Sequence, residues 1–91
     1  MFKNLEELIN IIRQRKGSSA EDSYTKKLLK DKKLSIEKVK EEITELIDAI
    51  EKNSNKIHES ADVLYHLMVL LEANDIKIED VKNELKKRQK K

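Results

Sequence analysis

The chain has no cysteine, no proline, no tryptophan and a single glycine, Gly17. Without cysteine it forms no disulfide, no thiolate metal site and no cysteine nucleophile, a usage that fits the cytoplasm. With one glycine it has no glycine-rich loop to cradle a phosphate. So few turn residues also argue against a many-stranded β fold, which must reverse direction every few residues. Phe2, Tyr24 and Tyr65 are the only aromatic residues, too few for a base-stacking surface. Neither sign of charge dominates: twenty Lys and Arg face eighteen Asp and Glu, a net charge of +2. No electrostatic footprint for nucleic acid follows from that balance. The longest apolar stretch, residues 61–71, is broken by Asp62 and His66 and is too short to span a bilayer. At the start, Met-Phe-Lys-Asn-Leu-Glu-Glu places acidic residues where a secretory signal has its apolar stretch. A soluble cytoplasmic protein with no membrane partner is expected.

What remains is charge and helical periodicity. Ninety-one residues, 37% hydrophobic and 42% charged, make one small domain (1–91) with a thin core. A helical bundle that gains burial by dimerising answers that shortage. Leu5, Leu8, Ile9 and Ile12 predict an amphipathic helix over residues 2–15, followed by a loop over 16–22. A short helix is expected over 23–30, with Tyr24, Leu28 and Leu29 facing inward, then a polar connection over 31–34. Ser35 reads as the N-cap of a longer helix ending near Lys52. Its residues Ile36, Val39, Ile43, Leu46, Ile47 and Ile50 fall on one face and predict a core stripe. Asn53-Ser54-Asn55 breaks the pattern, so the next helix, residues 56–74, should run antiparallel to the last. That helix is apolar almost all round and should sit centrally; Ile78, Val81 and Leu85 mark a final helix. The class is all-α, a small antiparallel bundle of four to five helices.

The chemistry lies on the two middle helices. One carries Glu41-Glu42-x-x-Glu45 and the other Glu59-x-x-Asp62. Residues three apart share a helix face, so antiparallel packing can bring Glu42, Glu45, Glu59 and Asp62 to one spot. Four carboxylates that close repel and desolvate one another unless a cation compensates them. A hard divalent ion with oxygen ligands does so, Mg²⁺ first and Mn²⁺ as its substitute. Glutamates are common on solvated helix faces, but Asp62 sits between apolar neighbours, where an unpaired charge is costly. An ion pair from Lys38 to Asp62 is the structural alternative. His66, one turn after Asp62, reads either as a satisfied core residue or as a group that orients a carboxylate or touches phosphate. His58 reads as exposed, and Tyr65 and Met68 as packing. Arg13, Arg15, Lys16, Lys26, Lys27 and Lys38 are the cations placed to meet a polyphosphate.

Three blocks together resemble a known family: residues 23–29 (Ser-Tyr-Thr-Lys-Lys-Leu-Leu), residues 37–42 (Glu-Lys-Val-Lys-Glu-Glu) and residues 59–71, which open Glu-Ser-Ala-Asp-Val-Leu-Tyr-His. They are similar to phosphoribosyl-ATP pyrophosphohydrolase of histidine biosynthesis, within the MazG-like all-α nucleotide pyrophosphohydrolases. The wider group is marked by Glu-Glu-x-x-Glu and a later Glu-x-x-Asp, here separated by residues 46–58. The resemblance implies a dimer binding Mg²⁺ through Glu42, Glu45, Glu59 and Asp62. It implies hydrolysis of phosphoribosyl-ATP to phosphoribosyl-AMP and diphosphate, the second step of histidine synthesis. Glu41 is then an auxiliary ligand or the base for the attacking water. Arg15, Lys16, Tyr24, Lys27 and Lys38 are implied to meet substrate phosphates or shape the pocket, with His66 beside them. The chain departs from the family at Lys40, where glycine is usual, and in the segments before Ser23 and Lys38. Two other readings are a house-cleaning pyrophosphohydrolase for another nucleoside triphosphate, and a helical interaction module whose carboxylates are surface charge.

Overall fold

The computed structural model describes residues 3–17 and 24–89. They form five helices and no strand: α1 (Lys3–Gly17), α2 (Tyr24–Lys30), α3 (Lys32–Lys52), α4 (Lys56–Ala73) and α5 (Ile78–Gln89). Helix number, order and type match the periodicity. The expected helix starts at Phe2 and Ser23, and most of the expected loop over 16–22, lie outside the described residues. Lys16 and Gly17 close α1 instead of opening that loop.

A chain almost without glycine must turn by other means. Asn53, Asn55 and Asp75 take left-handed backbone angles, with φ of 53°, 54° and 58°. Short polar side chains tolerate that conformation better than other non-glycine residues do. Asn53 caps α3, its amide bonding back to Ala49 and Ile50, and the Ser54 amide reaches the Ala49 carbonyl at 3.0 Å. Only residues 53–55 separate α3 from α4, so α4 folds back along α3.

The other end of α3 differs from expectation. Asp31, not Ser35, is the N-cap: its carboxylate accepts from the Leu34 amide at 3.1 Å. The polar connection over 31–34 shrinks to Asp31 alone, because lysine and leucine at 32–34 extend the helix readily. Ser35 is drawn inside and is 1% exposed.

The core lies where α1 and α2 cover the C-terminal half of α4. Ile9 and Ile12, Leu28 and Leu29, and Met68, Val69 and Ala73 form it, with Leu5, Leu8, Leu34, Tyr65 and Ile78 against them. Tyr24, expected to face inward, is 46% exposed, whereas Leu28 is fully buried. The predicted core stripe of α3 is corrected more sharply. Val39 is buried, but Ile36, Ile43, Ile47 and Ile50 are 42–56% exposed. About half of each of these four residues is left accessible within one chain. Leu64 and Leu67 of α4 are exposed as well.

Helix α5 has no buried residue and is held largely by charge. Arg13 of α1 grips Glu79 with two hydrogen bonds, 2.9 and 2.7 Å, and donates a third to Glu72 at 3.1 Å. Lys16 donates to the Glu72 carbonyl and to Asp75, at 2.9 and 2.8 Å. The Arg13 hydrogen bonds pull the Glu79 carboxyl from 4.5 to about 2. A depressed carboxyl stabilises the fold fully above its ordinary value, and the contribution disappears as pH falls through the folded one. The wild type therefore loses more stability than Glu79→Gln between pH 4.5 and about 2. Urea melts followed by circular dichroism across that window check this; parallel curves for the two proteins would refute it.

Candidate active site

The fold brings the acidic motifs together. Glu42 and Glu45 on α3 and Glu59 on α4 each place a carboxylate oxygen within 4.8 Å of the other two. Around the same Glu59, His58, Glu59 and Asp62 form a second group with ligand atoms within 4.8 Å of one another. The i, i+3 spacing supplies each pair, and the tight turn at 53–55 sets the helices side by side. Ala49, one turn beyond Glu45, is 7% exposed and permits the close approach.

Glu42 is the most perturbed member. Its Oε2 is shielded from solvent and has no hydrogen-bond partner. The Glu45 carboxyl, which Glu42 can hydrogen-bond only by keeping a proton, pushes it up to about 7, with burial and the charges of Asp62 and Glu59 adding to this. Glu42 thus joins a shielded, unpartnered carboxylate oxygen to a group of three carboxylates, a set that could hold a cation. All the donors besides His58 are hard oxygens, which suit Mg²⁺ or Mn²⁺.

Other candidates take varied places. Asp62 keeps 37% of its side chain exposed and pairs with His58 at 3.3 Å. Lys38 lies 3.7 Å from Glu41, so the Lys38–Asp62 pair considered from sequence does not form. Glu41 belongs to neither cluster. His66 is buried and satisfied: Nδ1 lies 2.8 Å from the Asp62 carbonyl and Nε2 lies 3.0 Å from the Tyr24 hydroxyl. Burial pushes the Tyr24 phenol up, so it holds its proton. Lys27 lines a shallow concavity with Lys26, Lys30, Asp31 and Lys32. Arg15 is exposed in the last turn of α1.

Lys16 is spoken for elsewhere. Its ammonium is bonded to Glu72 and Asp75, and Glu72 lies roughly 15 Å along α4 from Asp62 at 1.5 Å per residue. Arg13 is committed to the same end. His58 is the residue sequence reading passed over; its signal was the four-residue spacing to Asp62, which puts both on one face. Lys40, in the family's glycine position, is exposed, and its carbonyl accepts from the Thr44 hydroxyl.

Residues 5–89 match the family model described as phosphoribosyl-ATP pyrophosphohydrolase. Among curated proteins, a phosphoribosyl-ATP pyrophosphatase of Clostridium novyi is 50% identical, covering 96% of this chain and 82% of that protein. The phosphoribosyl-ATP pyrophosphatase of Haloarcula marismortui is 43% identical over 92% of this chain and 91% of its own length. A histidine biosynthesis bifunctional protein of Pyrococcus furiosus is 48% identical over 94% of this chain but only 41% of its own length.

Glu42 gives the site a testable pH signature without metal. A raised carboxyl favours folding fully below its ordinary 4.5, and that contribution is lost as pH rises through about 7. In a chelator, stability should fall across this window by on the order of 1–2 kcal/mol, allowing for solvent screening. Glu42→Gln should flatten the fall, and Mg²⁺ should reverse it in the wild type by mass action. Thermal melts at pH steps with and without metal measure it; a flat wild-type profile would contradict the carboxylate crowding.

Proposed function

The chain belongs to the phosphoribosyl-ATP pyrophosphohydrolase family, and we infer that it hydrolyses phosphoribosyl-ATP to phosphoribosyl-AMP and diphosphate, a step of histidine biosynthesis. The observation that carries the chemistry is the convergence of Glu42, Glu45 and Glu59 around a shielded, unpartnered Glu42 oxygen. Glu42, Glu45, Glu59 and Asp62 hold a divalent cation, Mg²⁺ in the cell. When bound, the ion neutralises phosphoryl charge and lowers the pKa of a water.

The remaining work falls to the protein's own groups. Glu41, outside the carboxylate cluster and next to Lys38, takes the proton of the attacking water. Water adds to phosphorus at the α–β phosphoanhydride, that P–O bond breaks, and diphosphate leaves. Lys27, Lys38 and Arg15 supply positive charge to the phosphates. His58 orients the Asp62 carboxylate through its 3.3 Å contact.

The exposed face of Ile36, Ile43, Ile47 and Ile50 on α3, with Leu64 and Leu67 on α4, is the surface of a homodimer. A second copy covers it with like apolar side chains and supplies the burial that one thin core lacks. The protein acts in the cytoplasm, and no helix among the described residues is long and apolar enough to cross a membrane.

Diphosphate release from phosphoribosyl-ATP, with and without Mg²⁺ and beside ATP and other triphosphates, tests the activity. Metal-dependent release from phosphoribosyl-ATP is expected, and release only from other nucleotides would move the enzyme to the house-cleaning class. Glu42→Gln and Asp62→Asn should each lose at least about 100-fold in turnover while keeping native helicity; near-native turnover in either would end the ligand assignment. For the dimer, Ile47→Glu should shift the mass measured by light scattering from two chains to one. An unchanged mass would place the interface elsewhere.

A further inference from the structure

Two consecutive residues of α2 bond two consecutive residues of α4. The Tyr24 hydroxyl lies 3.0 Å from His66 Nε2, and the Thr25 hydroxyl pairs with the Tyr65 hydroxyl. The His66 ring is wedged edge-on between two phenol rings, with centroids 5.8 Å from Tyr24 and 5.1 Å from Tyr65. Its Nδ1 lies 2.8 Å from the Asp62 carbonyl. A carbonyl oxygen only accepts, so Nδ1 carries the ring proton and donates it there. Nε2 is then an acceptor, and the Tyr24 O–H donates to it. The direction of the whole chain of bonds is set by the backbone of α4.

Among the described residues this leaves the lone pairs of the Tyr24 oxygen without a donor. Tyr24 is 46% exposed and is linked through His66 to the backbone of Asp62, so it stands beside the carboxylate-bearing part of α4. Ionised phosphate oxygens only accept hydrogen bonds, and a phenol whose proton is already given to His66 has nothing to offer them. It can serve a group that brings its own hydrogen. We propose that Tyr24 accepts a hydrogen bond from a hydroxyl or amino group of the nucleotide's sugar or base, and that His66 is the positioning residue that aims it. This rests on the nucleotide hydrolase reading above, and it assigns Tyr24 away from the phosphates.

The test compares Tyr24→Phe, His66→Asn and His66→Gln with wild type, using phosphoribosyl-ATP turnover and inhibition by inorganic tripolyphosphate. Asparagine can keep the donor to the Asp62 carbonyl but loses the acceptor for Tyr24; glutamine can keep that acceptor. Tyr24→Phe should raise KM about 10-fold with little change in kcat, and leave tripolyphosphate inhibition unaltered. His66→Asn should behave alike, His66→Gln should recover most of the loss, and the Tyr24→Phe/His66→Asn double variant should be no worse than either single one. Persistence of the Tyr24 effect with an inosine analogue of the substrate places the contact on a sugar hydroxyl; its disappearance places it on the base amino group. An unchanged KM in Tyr24→Phe, or tripolyphosphate inhibition weakened in step with KM, would overturn the proposal while wild-type turnover keeps the activity secure. Equal losses in both His66 variants would reduce His66 to packing and overturn its positioning role. No wild-type turnover would remove both readings.

Discussion

The mutual repulsion of carboxylates on α3 and α4 is the constraint around which this small fold is arranged. Helix packing holds Glu42, Glu45 and Glu59 within 4.8 Å of one another, a separation at which like charges in a partly desolvated site oppose folding. Among the described residues no lysine or arginine forms an ion pair with any of the three. Lys38 goes to Glu41, and Arg13 and Lys16 go to the far end of α4. Among the described residues the cluster's charge is therefore offset by no ion pair with a lysine or arginine, as a site for an external cation would require. A purely structural cluster would gain from moving one lysine by a turn, which a chain with twenty basic residues could readily do.

The rest of the molecule serves to hold α3 and α4 in that relation. Helices α1 and α2 spend their apolar residues on the C-terminal half of α4, where Ile12, Leu28 and Val69 are almost wholly buried. Charge then does what apolar area cannot: Arg13 and Lys16 fasten the α4–α5 turn at Glu72, Asp75 and Glu79. The N-terminal half of α4 and most of α3 project past this core and carry the carboxylates along one side. Their isoleucines are left uncovered on another side. Site and uncovered apolar face therefore share the same two helices, so covering the face also stiffens the site.

Much of this could be read from residue order, because it depends on local spacing. Helix identity follows from the placement of Leu5, Leu8, Ile9 and Ile12 and from the apolar run in α4, and the pairing of Glu42 with Glu45 is fixed by i, i+3 geometry. What the sequence hid depends on choices between near-equal partners or on contacts across the fold. Asp31 and Ser35 are comparable caps, and the bond from the Leu34 amide to the Asp31 carboxylate decides between them. The α3 stripe is apolar whether it faces this chain or a second one, so periodicity marks the face and not its occupant. Arg13 and Lys16 looked like phosphate ligands because a free cation and a paired one read the same; their partners lie 56 to 66 residues away. The Tyr24–His66 bond spans 42 residues and has no local signature at all.

The order of events at the site follows from the same charges. A triphosphate is repelled by an uncompensated carboxylate cluster, and this chain has no glycine loop whose amides could offset that repulsion. On the reading of a metal-dependent nucleotide hydrolase, cation binding would come first or together with the nucleotide and would turn the cluster from a barrier into an attractant. Lys38, 3.7 Å from Glu41, would add to attraction only after that reversal. The same reasoning makes Glu42 the pivot: the neighbouring Glu45 carboxyl pushes it up to about 7, so a cation bound there would compete with its proton. Loading such a site would exchange a proton for a metal ion, and the substrate's charge would be accommodated only with that exchange.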